Sequence, residues 1–477
     1  MTPANLVFET LLPELLLALG GMALLVFGVL GKTGRFTACV AGAIGLLIIT
    51  GFLVLGTPDA VLFGGLFRST GFTRYGDLLI LLGAIAALLL SFDYNKRQGI
   101  ARFEYPILVL FAVLGMLVMI SAGDLMTLYL GFELQSLCLY ICAAFARDEL
   151  RSSEAGLKYF VLGSLASGLL LYGISLVYGF AGTTDFTVLA RVLAASPVDY
   201  GAVIGVVFVL VGLAFKISAA PFHMWTPDVY QGAPTPVTAL FSTAPKAAAT
   251  CLLLTVMLGP FGHLLAQWRA PVQILAVISM LLGSLAAIGQ TNIKRLMAYS
   301  AIGHMGYALI GLAAGSVAGA QAVLIYLSIY VVMSFGTFAC IVAMRRQGKA
   351  VENIADLAGL ARQNPGWALA LAMLMLAMAG IPPLSGFFAK LYVFAAAVEA
   401  GLVPLAVIGV VTSVIGAFYY LRIVKVMYFD AGTPDFDKTP ASVRFVMAVG
   451  AIGTAVLVFL PGPLISAAQA AARALMG

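Results

Sequence analysis

The chain reads as a succession of long apolar runs separated by short polar connections. About 20 mostly apolar residues suffice to cross the hydrocarbon core of a bilayer as a helix. Such runs predict about fourteen spans, near 9–30, 36–56, 77–92, 105–122, 125–145, 156–180, 201–222, 235–259, 272–290, 298–315, 319–344, 366–399, 402–428 and 442–462. The runs are continuous, without the period-two alternation of an outer-membrane barrel, so the expected fold is an all-α integral membrane protein.

Two of the runs are interrupted. "SAAPFHMWTPDVYQGAPTP" places Pro221, Pro227, Pro234 and Pro236 around the end of the seventh run, and "GIPPLSGF" places Gly380, Pro382, Pro383 and Gly386 inside the twelfth. Proline removes an amide donor and clashes with the preceding turn. Each of these spans is therefore expected as two half-helices joined by unwound backbone, which hydrocarbon tolerates only where protein or a water-filled cavity surrounds it. The breaks lie five spans apart, and an odd offset makes the two segments run in opposite directions. This is the signature of an inverted-topology repeat, here spans four to eight and nine to thirteen. The expected organisation is one polytopic domain, with three N-terminal helices in about 1–103, a first repeat in 104–259, an inverted repeat in 271–428, and a last helix and tail in 441–477.

Composition agrees: 62% of the residues are hydrophobic and 10% charged, against a soluble norm of ~25% charged. The first run carries Glu9 and Glu14 with no Lys or Arg ahead of it, which is wrong for a signal peptide, so it is expected to stay as the first helix. Of the 26 basic residues, eighteen fall in connections on one side, among them Lys32, Arg151, Lys158, Lys294 and Arg295, and five on the other. The positive-inside rule then puts both termini outside, periplasmic in a bacterium. Topology thus accounts for the net charge of +6, which gives no argument for nucleic acid. The five cysteines show no C-x-x-C or Cys/His spacing for zinc or an iron–sulfur cluster. No nucleotide-cradling motif appears either, so redox or ATP chemistry is expected to belong to a partner.

Three basic residues remain, Lys216, Lys246 and Lys390, and all sit within spans; Glu133, in "LYLGFELQSLCLYI", is read as the one central carboxylate. A charge at the bilayer centre costs ~2.5–3.5 kcal/mol. Four dry ions would cost roughly 10–14 kcal/mol before pairing, comparable to the net stability of a domain. Two escapes exist. Glu133 can pair with a lysine, Lys216 being the expected partner, and a desolvated lysine can hold or release a proton near neutral pH. The second escape is already proton-transfer chemistry. The alternative is a static counter-ion and a lysine that snorkels to the interface; for Lys158, beside Glu154, local pairing competes with snorkelling. His304, in "YSAIGHMGYALIG", and His223, at the first break, are candidate relays because imidazole titrates near neutrality, whereas His263 is expected to be solvated in an outer loop.

"FKISAAPFHMWTPDVYQGAPTPVTALFSTAPKAA", "QTNIKRLMAYSAIGHMGYALIG", "LYLGFELQSLCLYI" and "GIPPLSGFFAKLYVF" together resemble the antiporter-like membrane subunits of proton-pumping NADH:quinone oxidoreductase, respiratory complex I. The resemblance runs over nearly the whole chain in order and spacing. Among the three paralogous branches, the absence of a long C-terminal lateral helix argues against subunit L. Lys390, where subunit M and the cation/proton antiporters typically carry glutamate, points to subunit N. The resemblance implies a proton translocase subunit of the bacterial inner membrane, with Glu133 and Lys216 as an acid–lysine pair, Lys246 as central relay and Lys390 as terminal donor. It implies no cofactor on this chain, with flavin, iron–sulfur clusters and quinone in partner subunits, and membrane-arm neighbours such as subunits M, K and J. A self-sufficient or Mrp-type cation/proton antiporter is the competing reading, disfavoured because sodium wants oxygen ligands and Lys390 offers none. A membrane subunit of an energy-converting hydrogenase is a further relative, and a scaffold without transport is disfavoured by the intact charges.

Overall fold

The computed structural model describes residues 3–31, 34–195 and 198–476; Lys32, counted above on the basic side, lies outside them. The helices are α1 (Pro3–Val29), α2 (Phe36–Gly56), α3 (Gly71–Arg97), α4 (Glu104–Ile120), α5 (Leu125–Ala143), α6 (Leu150–Ala181), α7 (Phe186–Ala195), α8 (Tyr200–Ile217), α9 (Trp225–Gly232) and α10 (Thr235–Ser242). They continue as α11 (Ala244–Leu258), α12 (Leu265–Ile288), α13 (Ile293–Ala314), α14 (Val317–Ala343), α15 (Leu360–Gln363), α16 (Pro365–Ala379), α17 (Ser385–Glu399), α18 (Val403–Phe429), α19 (Ala441–Phe459) and α20 (Gly462–Met476). Among the described residues, twelve helical segments are long and apolar enough to cross a membrane. With the 17-residue α4 and the half-helices α16 and α17, they give the fourteen spans expected. Among the described residues, α7 and the four-residue α15 lie in connections, and α20 lies beyond the last span, where only a tail was expected. The latter lies against α3 and α14 and buries Ala468, Ala471 and Ala472.

Features recur five spans apart. Asp124 caps α5 by accepting from the Met126 and Thr127 amides, and Asn292 caps α13 by accepting from Arg295. Each capping residue bridges extended backbone beyond the following span, Asp124 with Asp185 and Asn292 with Asn353. The amides of Leu125 and Phe186 donate to Thr184 and Gly123, as those of Ile293 and Ile354 donate to Glu352 and Thr291. Every corresponding pair is 168 residues apart.

Helix crossings repeat at the same spacing. A Cβ on Gly115 would meet the Gln135 amide and the Gly131 carbonyl at 2.6 and 2.8 Å, and one on Gly283 would meet the Gly303 amide and the Tyr299 carbonyl at 2.5 and 2.8 Å. Only a residue without a side chain lets α4 reach α5, and α12 reach α13, this closely. Spans four to six thus share these contacts with spans nine to eleven at a constant offset of 168 residues, which their weak sequence identity hides.

The breaks fall where the prolines predict. α8 ends at Ser218, with φ 66°, and α16 at Gly380, with φ 82°. A third break was not expected: span eight is interrupted at Thr243 (φ −119°, ψ −91°), between α10 and α11. Pro245, in the first turn of α11, has no amide to continue the ladder and crowds the carbonyl four residues earlier.

Candidate functional site

Lys216, Lys246 and Lys390 are all buried, at 3, 1 and 6% exposure. Lys246, on α11 just past the third break, donates to the Ile217 carbonyl (3.0 Å) and to Ser218 Oγ (2.8 Å), at the end of α8. Lys390, on α17, donates to the carbonyls of Met378 (3.2 Å) and Ala379 (2.9 Å), at the end of α16, and to Ser413 Oγ (2.7 Å). A helix carries partial negative charge on its unpaired terminal carbonyls, so an ammonium there is stabilised without a carboxylate. The breaks after α8 and α16 therefore each end on a cation. The lysines come from different spans, eight and twelve, yet they reach equivalent carbonyls.

Lys216, in the last turn of α8, donates to Ser136 Oγ at 2.7 Å. The direct Glu133–Lys216 ion pair expected from sequence is not formed among the described residues. Ser136 lies one turn further along α5 and meets the ammonium instead, while Ser167 donates to Glu133 Oε1 and itself lies 3.1 Å from the Tyr129 hydroxyl. The Phe132 and Tyr159 rings flank the Lys216 ammonium at 4.9 and 5.8 Å. Glu133 is only half-buried. It shares its helix with Leu130, Leu137 and Ile141, which are 65, 52 and 54% exposed.

His304 links the second half of the chain. Its Nδ1 lies 2.6 Å from the Tyr326 hydroxyl and its Nε2 3.1 Å from that of Tyr420, which lies 2.5 Å from Ser300 Oγ. His304, Tyr307, Tyr420 and Lys390 line one internal cavity of about 10 Å³, space for about one water molecule. The structure thus brings His304 and Lys390 together and sets Lys216 and Lys246 on the same helix end. His223 is half-buried at the first break and His263 is exposed. Lys158 bonds both Glu154 and Asp228, at 2.7 Å each.

Sequence reasoning passed over several residues. Ser136 and Ser218 gave no signal, being ordinary helix and turn residues until a lysine lies against them. Asp77 in α3 is buried at 4% exposure, as is Glu14 of the first run at 9%, so buried carboxylates lie within the spans beside the central Glu133. The apolar run at 77–92 hid Asp77, because α3 begins six residues earlier, at Gly71. Pro221, Pro382 and Pro383 are exposed on the surface of the chain rather than enclosed by it.

The family model described as NADH:quinone oxidoreductase/Mrp antiporter, transmembrane, matches residues 122–416. The chain is 61% identical over 470 residues to NADH-quinone oxidoreductase subunit N 1 of Acidiphilium cryptum, an alignment that covers 98% of each. Its structure resembles a chain of respiratory complex I from Thermus thermophilus, with a TM-score of 0.82 and 32% identity over 95% of this chain and 98% of that one. A chain of the Mrp complex from Dietzia has a TM-score of 0.87 at 22% identity and full coverage of both, a likeness of fold alone.

Proposed function

This chain belongs to the membrane-subunit family of NADH:quinone oxidoreductase, in its subunit N branch, and on that premise we propose that protons cross it along Glu133, Lys216, Lys246, His304 and Lys390. It is a proton-translocating subunit of the membrane arm. The observation that carries the relay is the capping of both broken helices by buried lysines, Lys246 at Ile217 and Lys390 at Ala379. A buried ammonium with carbonyl and hydroxyl partners, and no carboxylate in contact, is held firmly enough to stay in place yet can give up its proton.

In this reading Ser136 holds Lys216 one turn from Glu133, so the carboxylate attracts the ammonium without locking it in an ion pair. Lys216 and Lys246 flank one helix end, and two ammonium groups there repel. When Glu133 is neutralised or drawn away, the Lys216 proton loses its nearby counter-charge and passes to Lys246. His304 and its tyrosines then carry it to the cavity at Lys390, and from there to the periplasm. Neutral imidazole has one donor and one acceptor nitrogen, which suits the two hydroxyls it meets.

Energy reaches the relay from neighbours. Glu133 is half-exposed on an apolar face at mid-membrane, and the prolines of both breaks are exposed; lipid tolerates neither a bare charge nor unwound backbone. These surfaces suit covering by adjacent membrane-arm subunits, for which M, K and J are the proposed partners, with flavin, iron–sulfur clusters and quinone held elsewhere in the complex. We further assign both termini to the periplasmic side of the bacterial inner membrane, and the two repeats to about 104–259 and 271–428.

The test is Lys216→Ala in the assembled complex, followed as proton uptake by inverted membrane vesicles oxidising NADH. Loss of uptake at normal assembly is expected. Unchanged uptake would remove Lys216 from the relay.

A further inference from the structure

At the C-terminal end of the short helix α9 lies an ion pair between a buried lysine and a half-buried carboxylate that the relay does not use. Lys294, 2% exposed, donates to the carbonyls of Gln231 (3.0 Å) and Ala233 (2.7 Å), at the end of α9, and to Glu352 Oε1 (3.1 Å). Asn292 donates to the other carboxylate oxygen of Glu352 at 2.9 Å. Lys294 thus does for α9 what Lys246 does for α8: it puts a cation on the carbonyl end of a half-helix.

The turn that carries this pair does not need it. Residues 168 positions earlier, Met126 and Thr184, stand where Lys294 and Glu352 stand, and the same backbone bonds form between the same two strands of chain. The ion pair is an addition to one copy of a repeated element. Burying a lysine is costly even when it is paired, so the addition calls for a role beyond closing the turn.

Its position suggests one. Tyr230, the residue before Gln231, turns its ring toward the Lys246 ammonium at 5.9 Å, and its hydroxyl is buried without a partner. Lys294 and Glu352 also line a cleft of about 510 Å³ with Gln98, Glu149, Arg151 and Lys349, on the side assigned to the cytoplasm. The contacts run from the cleft through Glu352, Lys294 and α9 to Tyr230 and Lys246.

We propose that Lys294 and Glu352 are positioning residues for proton uptake, a clasp on α9 that holds Tyr230 beside Lys246 and sets access from the cleft to the relay. This rests on the relay reading above. Asp228, also on α9, is bonded independently to Lys158 (2.7 Å) and Arg295 (2.6 Å), so α9 keeps a second tie when Lys294 is removed.

The experiment uses the complete complex in inverted vesicles and follows assembly, coupled proton uptake and the solvent deuterium isotope effect on turnover. Lys294→Met is expected to assemble and to slow uptake by roughly tenfold, short of the ~100-fold that a full ångström of misplacement can cost. Its isotope effect should rise, because proton delivery has become limiting; loosened packing alone would leave it unchanged. Lys294→Arg, which can still reach carbonyl and carboxylate, should restore both. Unchanged uptake and isotope effect in Lys294→Met overturn the clasp. If Lys294→Met fails to assemble, Glu352→Gln decides, with the same direction expected at smaller size and no change overturning the proposal. Lys216→Ala is measured in parallel. Normal uptake there sinks the relay reading, whereas its loss beside an unaffected Lys294→Met sinks the clasp alone.

Discussion

Lys246 Nζ lies 3.0 Å from the carbonyl oxygen of Ile217, the last residue of α8. Through that bond a cation on span eight rests on the broken end of span seven, and the adjoining Ser218 hydroxyl at 2.8 Å completes the seat.

Ser218 therefore has two separable jobs. Its hydroxyl holds Lys246, and its backbone sits at φ 66°, where glycine is free of the strain that a side chain meets. Ser218→Ala and Ser218→Gly should slow proton uptake alike, by about tenfold, since a hydrogen bond to a charged group contributes ~1.5–3 kcal/mol. Thermal stability should separate them, with the glycine variant the more stable. Equal uptake to wild type in both would show that the hydroxyl is not part of the seat.

The glycine crossings should be intolerant in the same way in both halves. Gly115→Val and Gly283→Val each force side-chain atoms into backbone that a Cβ alone already meets below 3 Å. Overpacking of this kind costs ~1–3 kcal/mol or more. Quantifying the subunit in membranes should show reduced assembly for both; full assembly of either would mean that its helix pair can separate without penalty.

His304→Gln tests the histidine. Glutamine can still bond the Tyr326 and Tyr420 hydroxyls but cannot titrate. Proton uptake should fall by at least about tenfold, a modest figure for loss of a positioned acid–base group, while assembly holds. Wild-type uptake would make His304 a packing residue with two tyrosine partners.

Much of this was legible in the sequence because it depends on local pattern. Apolar run length gave the fourteen spans, Pro221 and Pro382–Pro383 gave two breaks, and lysines inside apolar runs marked the residues proposed for the relay. What was missed depends on which distant residues meet. Ser136 displaces Glu133 as the Lys216 partner across 80 positions of sequence. The break at Thr243 was hidden because α10 and α11 are both apolar and read as one run. The 168-residue register is carried by backbone bonds and by glycine contacts, which constrain few side chains and so leave little identity to read.

Glu352 gives a pH expectation. Burial pushes its carboxyl up, but the Lys294 ammonium outweighs this, with help from Asn292 and Arg151, and holds it below the usual carboxylate range. A depressed carboxylate contributes its stability above the unfolded value, ~4.3 for glutamate, and loses it only as pH falls through the lower folded value. Glu149 and Lys349, which share the cleft, modify the field but leave this sign set by Lys294. Hydrogen exchange at the Ile293 amide, bonded to Glu352 backbone, should therefore show constant protection between pH 6 and 8 once corrected for intrinsic rates. Glu352→Gln should lower that protection at every pH in this range. A protection that changes across pH 6–8 in the wild type would contradict the assignment.

The relay itself is tested most directly by Lys246→Arg. Arginine can keep a cation on the Ile217 carbonyl but does not give up its proton in proteins. The measurement is protons taken up per NADH oxidised by vesicles containing the assembled variant complex. A clear fall in that ratio, or arrest of coupled turnover, is expected if Lys246 must release a proton. A wild-type ratio at wild-type rate would mean that Lys246 serves only as a cap, and that protons cross this chain by another path.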